Sequence, residues 1–356
     1  MFRRDFLKFL SLSLCGCAVG SQVTYINSKN IYVQPYENMK DNRFGIFIFE
    51  MDSGRIRHTE TEFNVHNIFF DVEKNQFVGI NKYGPRYLIF KDLDFSQLKY
   101  YKIDENFFNL SGHVTSTLGS EFYYLTAIKV SNGTSCVLGL NKTTNEISVI
   151  TSLGLSDPPA HDCKFTKSGN ELLITSGNKL HFYDIKEKKL QSKIFKLASA
   201  RSSLRHFSVN QKNEICIQSN IIDTQKNFTY EQAQIVLFKP KEILMELVED
   251  VDPRIKNNEL LDFSFSQNGQ IFACVHGGAP VVTIWSTEPF KLLREVHFED
   301  MPMRVSNYFD QDGFLVLGRK NFYIIDAKTY SIKKIEFFQD KLKSFYSYGH
   351  KLLIQA

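Results

Sequence analysis

The stretch AHDCKFTKSGNELLIT (Ala160–Thr175) decides the fold, because the chain repeats it. A short β-rich run opening at a histidine leads into a polar turn, Lys167-Ser168-Gly169-Asn170, and then into a second β-rich run. That is a hairpin pattern. It recurs as VHNIFFDVEKNQFVGI (Val65–Ile80), GHVTSTLGSEFYYLTA (Gly112–Ala127) and RHFSVNQKNEICIQS (Arg205–Ser219). Two further copies lack the histidine, LDFSFSQNGQIFACV (Leu261–Val275) and VSNYFDQDGFLVLG (Val305–Gly318). With His66, His113, His161, His206, Asp262 and Ser306 taken as equivalent, the steps are 47, 48, 45, 56 and 44 residues. Periods of this size mean stacked repeats rather than one irregular domain.

Two more strands follow each hairpin, for example LHFYDI (Leu180–Ile185) then QSKIFKL (Gln191–Leu197), and VVTIWST (Val281–Thr287) then LLREVHF (Leu292–Phe298). Four antiparallel strands per repeat make a β-propeller blade. Six such units run from Val65 to Phe338. The ends supply a seventh, with two strands between Lys343 and Ile354 and two between Gly45 and Phe63. The expected fold is therefore all-β, a seven-bladed β-propeller of WD40/YVTN-like type, its ring closed by strands from both termini so that no sheet edge is left open. Residues 156–159, 222–233 and 249–259 fall outside the pattern as loops, and KEILMELV (241–248) reads as a short helix.

Composition agrees with a packed domain. The chain is 43% hydrophobic and carries 32 Phe and 16 Tyr, which excludes disorder. Of the formal charge of +4, the first twenty residues supply +2 (Arg3, Arg4 and Lys8 against Asp5), leaving +2. That balance excludes an electrostatic nucleic-acid surface.

Met1-Phe2-Arg3-Arg4-Asp5-Phe6-Leu7-Lys8 matches a twin-arginine export signal, followed by an apolar run, Phe9 to Val19, too short to span a bilayer. Residues 1–20 are thus read as signal and 21–356 as one propeller domain in the periplasm, with no transmembrane segment. Cleavage after Ala18-Val19-Gly20 would leave a soluble protein. Leu14-Cys15-Gly16-Cys17 is the competing reading, a lipid anchor at Cys17. Cys136, Cys163, Cys216 and Cys274 form no Cys-x-x-Cys pair and are expected to be buried and inert.

Gly112-His113, Pro159-Ala160-His161-Asp162, Ser203-Leu204-Arg205-His206-Phe207 and Gly277-Gly278 with Trp285 fall in an order that resembles a known family, the domain of unknown function 1513 family of twin-arginine-exported periplasmic β-propeller proteins. Its signatures are Gly-His, Pro-His-Glu, Ser-Ile-Arg-His-Leu and Arg-Gly-Gly. Here Asp162 stands for the family's Glu, Ala160 intrudes before the histidine, His276 replaces the Arg, and Thr175-Ser176-Gly177 stands where Asn-Gly-Gly is usual. The resemblance runs from about Leu110 to Gly318. It implies an envelope location and, through neighbouring imelysin-type iron-uptake genes, a link to iron. It implies no established activity.

In a propeller the first strand of each blade lines the central channel. His66, His113, His161, His206 and Asp262 are therefore expected to form a ring, continued by Ser306. Imidazoles with a carboxylate suit a transition metal such as Zn, Cu, Fe or Ni. Arg205 suggests instead an anionic ligand, gripped by its planar fork. His276, Gly277 and Gly278 join it as ligand-binding candidates, although Gly277-Gly278 reads first as a hairpin turn. The competing reading is structural: polar channel residues can simply hold neighbouring blades in register. His58, His181, His297 and His350 are expected at the surface. No nucleophile elbow, P-loop, zincin or dinucleotide motif occurs, and no catalytic residue stands out. Two functions follow. One is a binding or scaffold protein of the cell envelope, holding a protein partner, a small ligand or a metal. The other is a metal-dependent propeller enzyme, a lactonase-like hydrolase or a redox enzyme. The acid-poor ring favours the first, and with it a protein that is not an enzyme.

Overall fold

A computed structural model describes residues 30–38, 43–155, 157–197, 202–221, 234–239, 242–247, 260–308, 312–319, 321–335, 345–347 and 352–355. The expected signal with Cys17, the loops 222–233 and 249–259, and His350 lie outside them. Within them the regular structure is antiparallel β-sheet, and no helix is long and apolar enough to cross a membrane.

Four sheets have four strands in chain order: Asp162–Phe165 to Lys189–Ile194, Ser202–Val209 to Glu242–Leu247, Leu260–Phe265 to Phe290–His297, and Pro302–Tyr308 to Ile332–Ile335. Two more repeats merge into one eight-stranded sheet, because Gln76–Gly84 runs on to pair with Phe108–Thr115 through Lys82↔Ser111 and Gly84↔Leu110. Burial changes with position in each sheet. Middle strands such as Val281–Thr287 and Gly313–Gly318 are buried along their whole length, so neighbouring sheets must cover both faces. Fourth strands such as Lys189–Ile194 and Ile332–Ile335 are mostly exposed and rich in lysine, which blunts an edge against further pairing.

The apolar clusters lie between sheets. Cys216, Ile235 and Leu237 pack on Phe263, Phe272 and Trp285 of the next sheet, and Trp285 stacks on Phe272 with ring centroids 6.3 Å apart. Tyr32, Phe47 and Phe49 from the start of the chain pack on Leu315, Leu317 and Phe322 from near its end. Cys136, Cys163, Cys216 and Cys274 are buried free thiols in these layers.

Two expectations change. The segment read as a helix contains a strand, Glu242–Leu247, which turns back on Gln234–Lys239 with Lys239 opposite Glu242; pairing with a ready neighbour overrides local helix preference. The terminal strands divide differently as well. Asn30–Asn38, unrecognised in the sequence, lies between Arg43–Glu50 on one side and Phe345–Ser347 and Leu352–Gln355 on the other. Pro35 hid it, since proline argues against a central strand. The two C-terminal segments pair at Tyr36–Asn38 and at Asn30–Val33, so the missing donor of Pro35 falls where neither pairs.

Candidate metal centre

The first strands of five repeats carry a register shift at or beside the position the histidines occupy, whereas Asp162–Phe165 pairs without one. It falls between Val65 and Asn67, between Leu110 and Val114, between Leu204 and Phe207, between Leu260 and Asp262, and between Pro302 and Arg304. A bulge leaves its residue out of the ladder and re-aims the side chain. His66, His113 and His206 sit on these bulges, and His161 directly precedes Asp162–Phe165, its amide bonded to the Thr175 carbonyl at 2.8 Å. Side chains of the second strand hold the distorted segments. Thr126 Oγ1 accepts from the His113 amide at 3.1 Å, and Thr175 Oγ1 accepts from the Asp162 amide at 3.2 Å while donating to the Arg205 carbonyl at 2.6 Å.

His113, His161 and His206 converge, with one ligand nitrogen from each lying within 4.8 Å of the others. The Nε2 atoms of His161 and His206 are 3.1 Å apart. A tetrahedral centre with metal–nitrogen bonds of about 2.0–2.1 Å sets neighbouring nitrogens about 3.3 Å apart, so this pair already spans one coordination edge. His113 is oriented by Asp162, whose Oδ1 is 2.9 Å from His113 Nδ1. With Nδ1 donating to the carboxylate, Nε2 carries the lone pair. This is the carboxylate–histidine pairing that fixes tautomer and raises basicity in metal sites. Asp162 Oδ2 also accepts from Lys164 Nζ at 2.6 Å and from the Phe207 amide at 3.3 Å.

Burial favours the neutral form of His113 and of His161. Burial, reinforced by Arg205 and His113, drives His161 well below its ordinary value. Burial also lowers His113, against the opposing pull of Asp162. At Asp162 burial pushes upward, yet Lys164 and His113 outweigh it and the carboxyl stays ionised. Three imidazole nitrogen donors with a held carboxylate behind one of them can bind a transition metal and leave a fourth position open.

The other sequence candidates sit elsewhere. His66 lies one ring further out, its centroid 5.3 Å from that of His113 and nearly perpendicular to it. Gly112 makes room for it: at φ +113 a Cβ there would lie 2.6 Å from His66 Cδ2. Asp262 lies outside the three-imidazole cluster found among the described residues. Its Oδ1 accepts from the Phe263 amide at 3.0 Å and its Oδ2 from the Val305 amide at 2.9 Å. The expected alignment is one residue out, since Asp262 matches Asp162, and Leu261 takes the histidine position. By the same bond pattern Arg304, not Ser306, stands where His206 does. His276 is fully buried, with Nε2 2.7 Å from Thr283 Oγ1, which also accepts from Trp285 Nε1 at 2.8 Å. Burial drops it to about 3. Gly277 and Gly278 form the turn after it, Gly278 at φ +80, where glycine alone is unstrained. His58 and His297 are exposed as expected, but His181 is buried, with Nδ1 2.8 Å from Ser192 Oγ.

No protein-family model matches the chain, and no curated protein matches it in sequence; the family resemblance is thus reduced to its fold. Solved structures are alike throughout. The periplasmic gluconolactonase PpgL of Pseudomonas aeruginosa aligns with TM-score 0.62 and 11% identity, over 91% of this chain and 99% of that one. Hydrazine synthase of Kuenenia stuttgartiensis gives 0.58 and 12%, over 90% and 99%. The β-propeller domain of Cps50 (Swd1) from Myceliophteria thermophila gives 0.57 and 10%, over 86% and 96%. The likeness establishes a β-propeller-like fold. The expectation that the protein is not an enzyme is overturned, because a three-imidazole cluster with His113 buried and His161 and His206 half-buried stands on a fold that enzymes also use.

Proposed function

We propose that the chain is an exported, metal-dependent propeller enzyme of the cell envelope, in which His113, His161 and His206 hold a divalent transition metal. The observation that carries this is the convergence of three imidazoles, one of them oriented by Asp162. The Arg3-Arg4 signal at residues 1–20 supports export, and residues 21–356 are read as one domain. A seven-bladed ring closed by both termini is supported by strands from the two ends pairing in one sheet and by the apolar layer between that sheet and the preceding one.

The reaction is hydrolysis of a lactone or related ester. A metal held by His113, His161 and His206 would supply a hydroxide nucleophile from water near neutral pH. Hydrolysis would then cleave the carbon–oxygen ring bond, with the hydroxyl going to the carbonyl carbon and a proton to the ring oxygen. The fold shared with a gluconolactonase makes lactones the first substrates to assay. The test is metal content by mass spectrometry on protein purified without chelator or a polyhistidine tag, beside a His113→Ala/His161→Ala/His206→Ala variant. Near-stoichiometric metal lost in the folded variant, together with metal-dependent lactone hydrolysis, is expected. A protein that takes up no Zn, Fe or Cu on loading overturns the reading.

A further inference from the structure

The surroundings of the three imidazoles are basic. Arg205 precedes His206 on the same bulge, with its carbonyl pinned by Thr175. Its Nε is buried and has no hydrogen-bond partner among the described residues. Lys82 lies across from Ser111, and its Cγ would be 3.3 Å from a Cβ at Gly112, on the same spot that faces His66. Its ammonium also lies 5.3 Å from the Tyr83 ring centroid, a cation–π distance. Arg304 occupies in its strand the place His206 has in its own, because the Val305 amide meets Asp262 as the Phe207 amide meets Asp162. Three cations therefore approach the cluster from three repeats.

The nearby carboxylates are already engaged. Asp162 holds His113, Lys164 and the Phe207 amide, while Asp262 holds two amides. A metal cation added to this neighbourhood would make it more positive still.

We propose that the substrate of this centre carries an oxyanion group, a carboxylate or a phosphate, which Arg205 binds beside the metal within a basic wall completed by Lys82 and Arg304. The inference rests on the metal-centre reading above. A guanidinium presents two parallel N–H donors that match the two oxygens of such a group. A buried Nε without a partner among the described residues is a donor waiting for an acceptor. The substrate class is accordingly an acidic lactone or ester rather than a neutral one.

The test is calorimetric titration with two probes, inorganic phosphate and acetate, into metal-free and Co²⁺-loaded protein, with Co²⁺ affinity measured separately from its absorption spectrum. One or both probes should bind the wild type at one site, and Arg205→Gln should weaken binding about tenfold or more with Co²⁺ affinity unchanged. Arg205→Lys should restore part of it, because charge returns without the fork. The stronger probe tells a carboxylate from a phosphate. Failure of both probes to bind Co²⁺-loaded protein, or equal binding by Arg205→Gln, overturns the inference. If Co²⁺ itself does not bind while phosphate or acetate binds in an Arg205-dependent way, the metal reading fails and the anion site stands. Should Arg205→Gln not fold, Lys82→Gln and Arg304→Gln serve instead. Each is expected to weaken binding several-fold, and no change in either overturns the proposal.

Discussion

Asp162 and Asp262 occupy the same position in two repeats and do the same structural work, yet only one belongs to a site. Each sits on a first strand and receives the amide of the following repeat, Phe207 in one case and Val305 in the other. Asn67 does likewise for Val114 at 3.1 Å. The side chains around them differ. Beside Asp162 stand His113, His161 and His206, whereas the residue before Asp262 is Leu261 and the following repeat brings Arg304. A latch between neighbouring sheets becomes the support of a candidate metal centre when the bulges beside it carry imidazoles. The imidazole cluster is thus an addition to a repeated architectural device, and among the described residues it accompanies Asp162 and not Asp262.

The largest effect expected to separate the two positions comes from Asp162→Asn. The amide can still accept from Phe207, but its NH₂ facing His113 Nδ1 reverses the tautomer and places a proton on Nε2. Metal affinity should fall about 10- to 100-fold, the usual consequence of removing the carboxylate behind a ligating histidine. Co²⁺ titration followed by absorption reads this directly. An unchanged affinity would reduce Asp162 to a latch like its counterpart.

Asp262→Asn is expected to do the converse. Its two oxygens each accept an amide, and an asparagine can serve only one of them, so stability should drop by about 1–2 kcal/mol in urea unfolding. Metal affinity should not move. A loss of metal in this variant would mean that the two positions are coupled through the intervening sheets and that the contrast between them is overdrawn.

Much of this was legible beforehand. Turn glycines such as Gly169 and Gly269, at φ +74 and +70, together with the apolar runs around them, marked the hairpins and so the repeat. Equal spacing also brought His113, His161 and His206 to one place. The bulges were not legible, because an extra residue in one strand leaves no mark in the spacing between repeats; Asp262 was therefore aligned with the histidines and Arg304 passed over. Alternation likewise failed on middle strands buried on both faces. There it cannot tell a channel-facing side chain from one between sheets, and so it does not reveal that His276 and His181 are both buried.

His276 sharpens the contrast from the other side, as a buried imidazole tethered to a hydroxyl rather than to a carboxylate. In the folded chain burial holds it at about 3, while in the unfolded chain it titrates near 6.5. Between those values the unfolded state binds one proton more than the folded state, so this residue makes stability fall as pH falls, by about 1.4 kcal/mol per pH unit. The wild-type slope sums over several buried imidazoles, His66 and His161 among them. The difference between wild type and His276→Gln isolates one. Urea unfolding at pH 6, 5 and 4 should show the variant losing stability less steeply by about one proton's worth. Equal slopes would mean that His276 is protonated inside the fold. Its Thr283 contact would then be a donated hydrogen bond from a charged ring, and the contrast would be weaker than the hydrogen bonds imply.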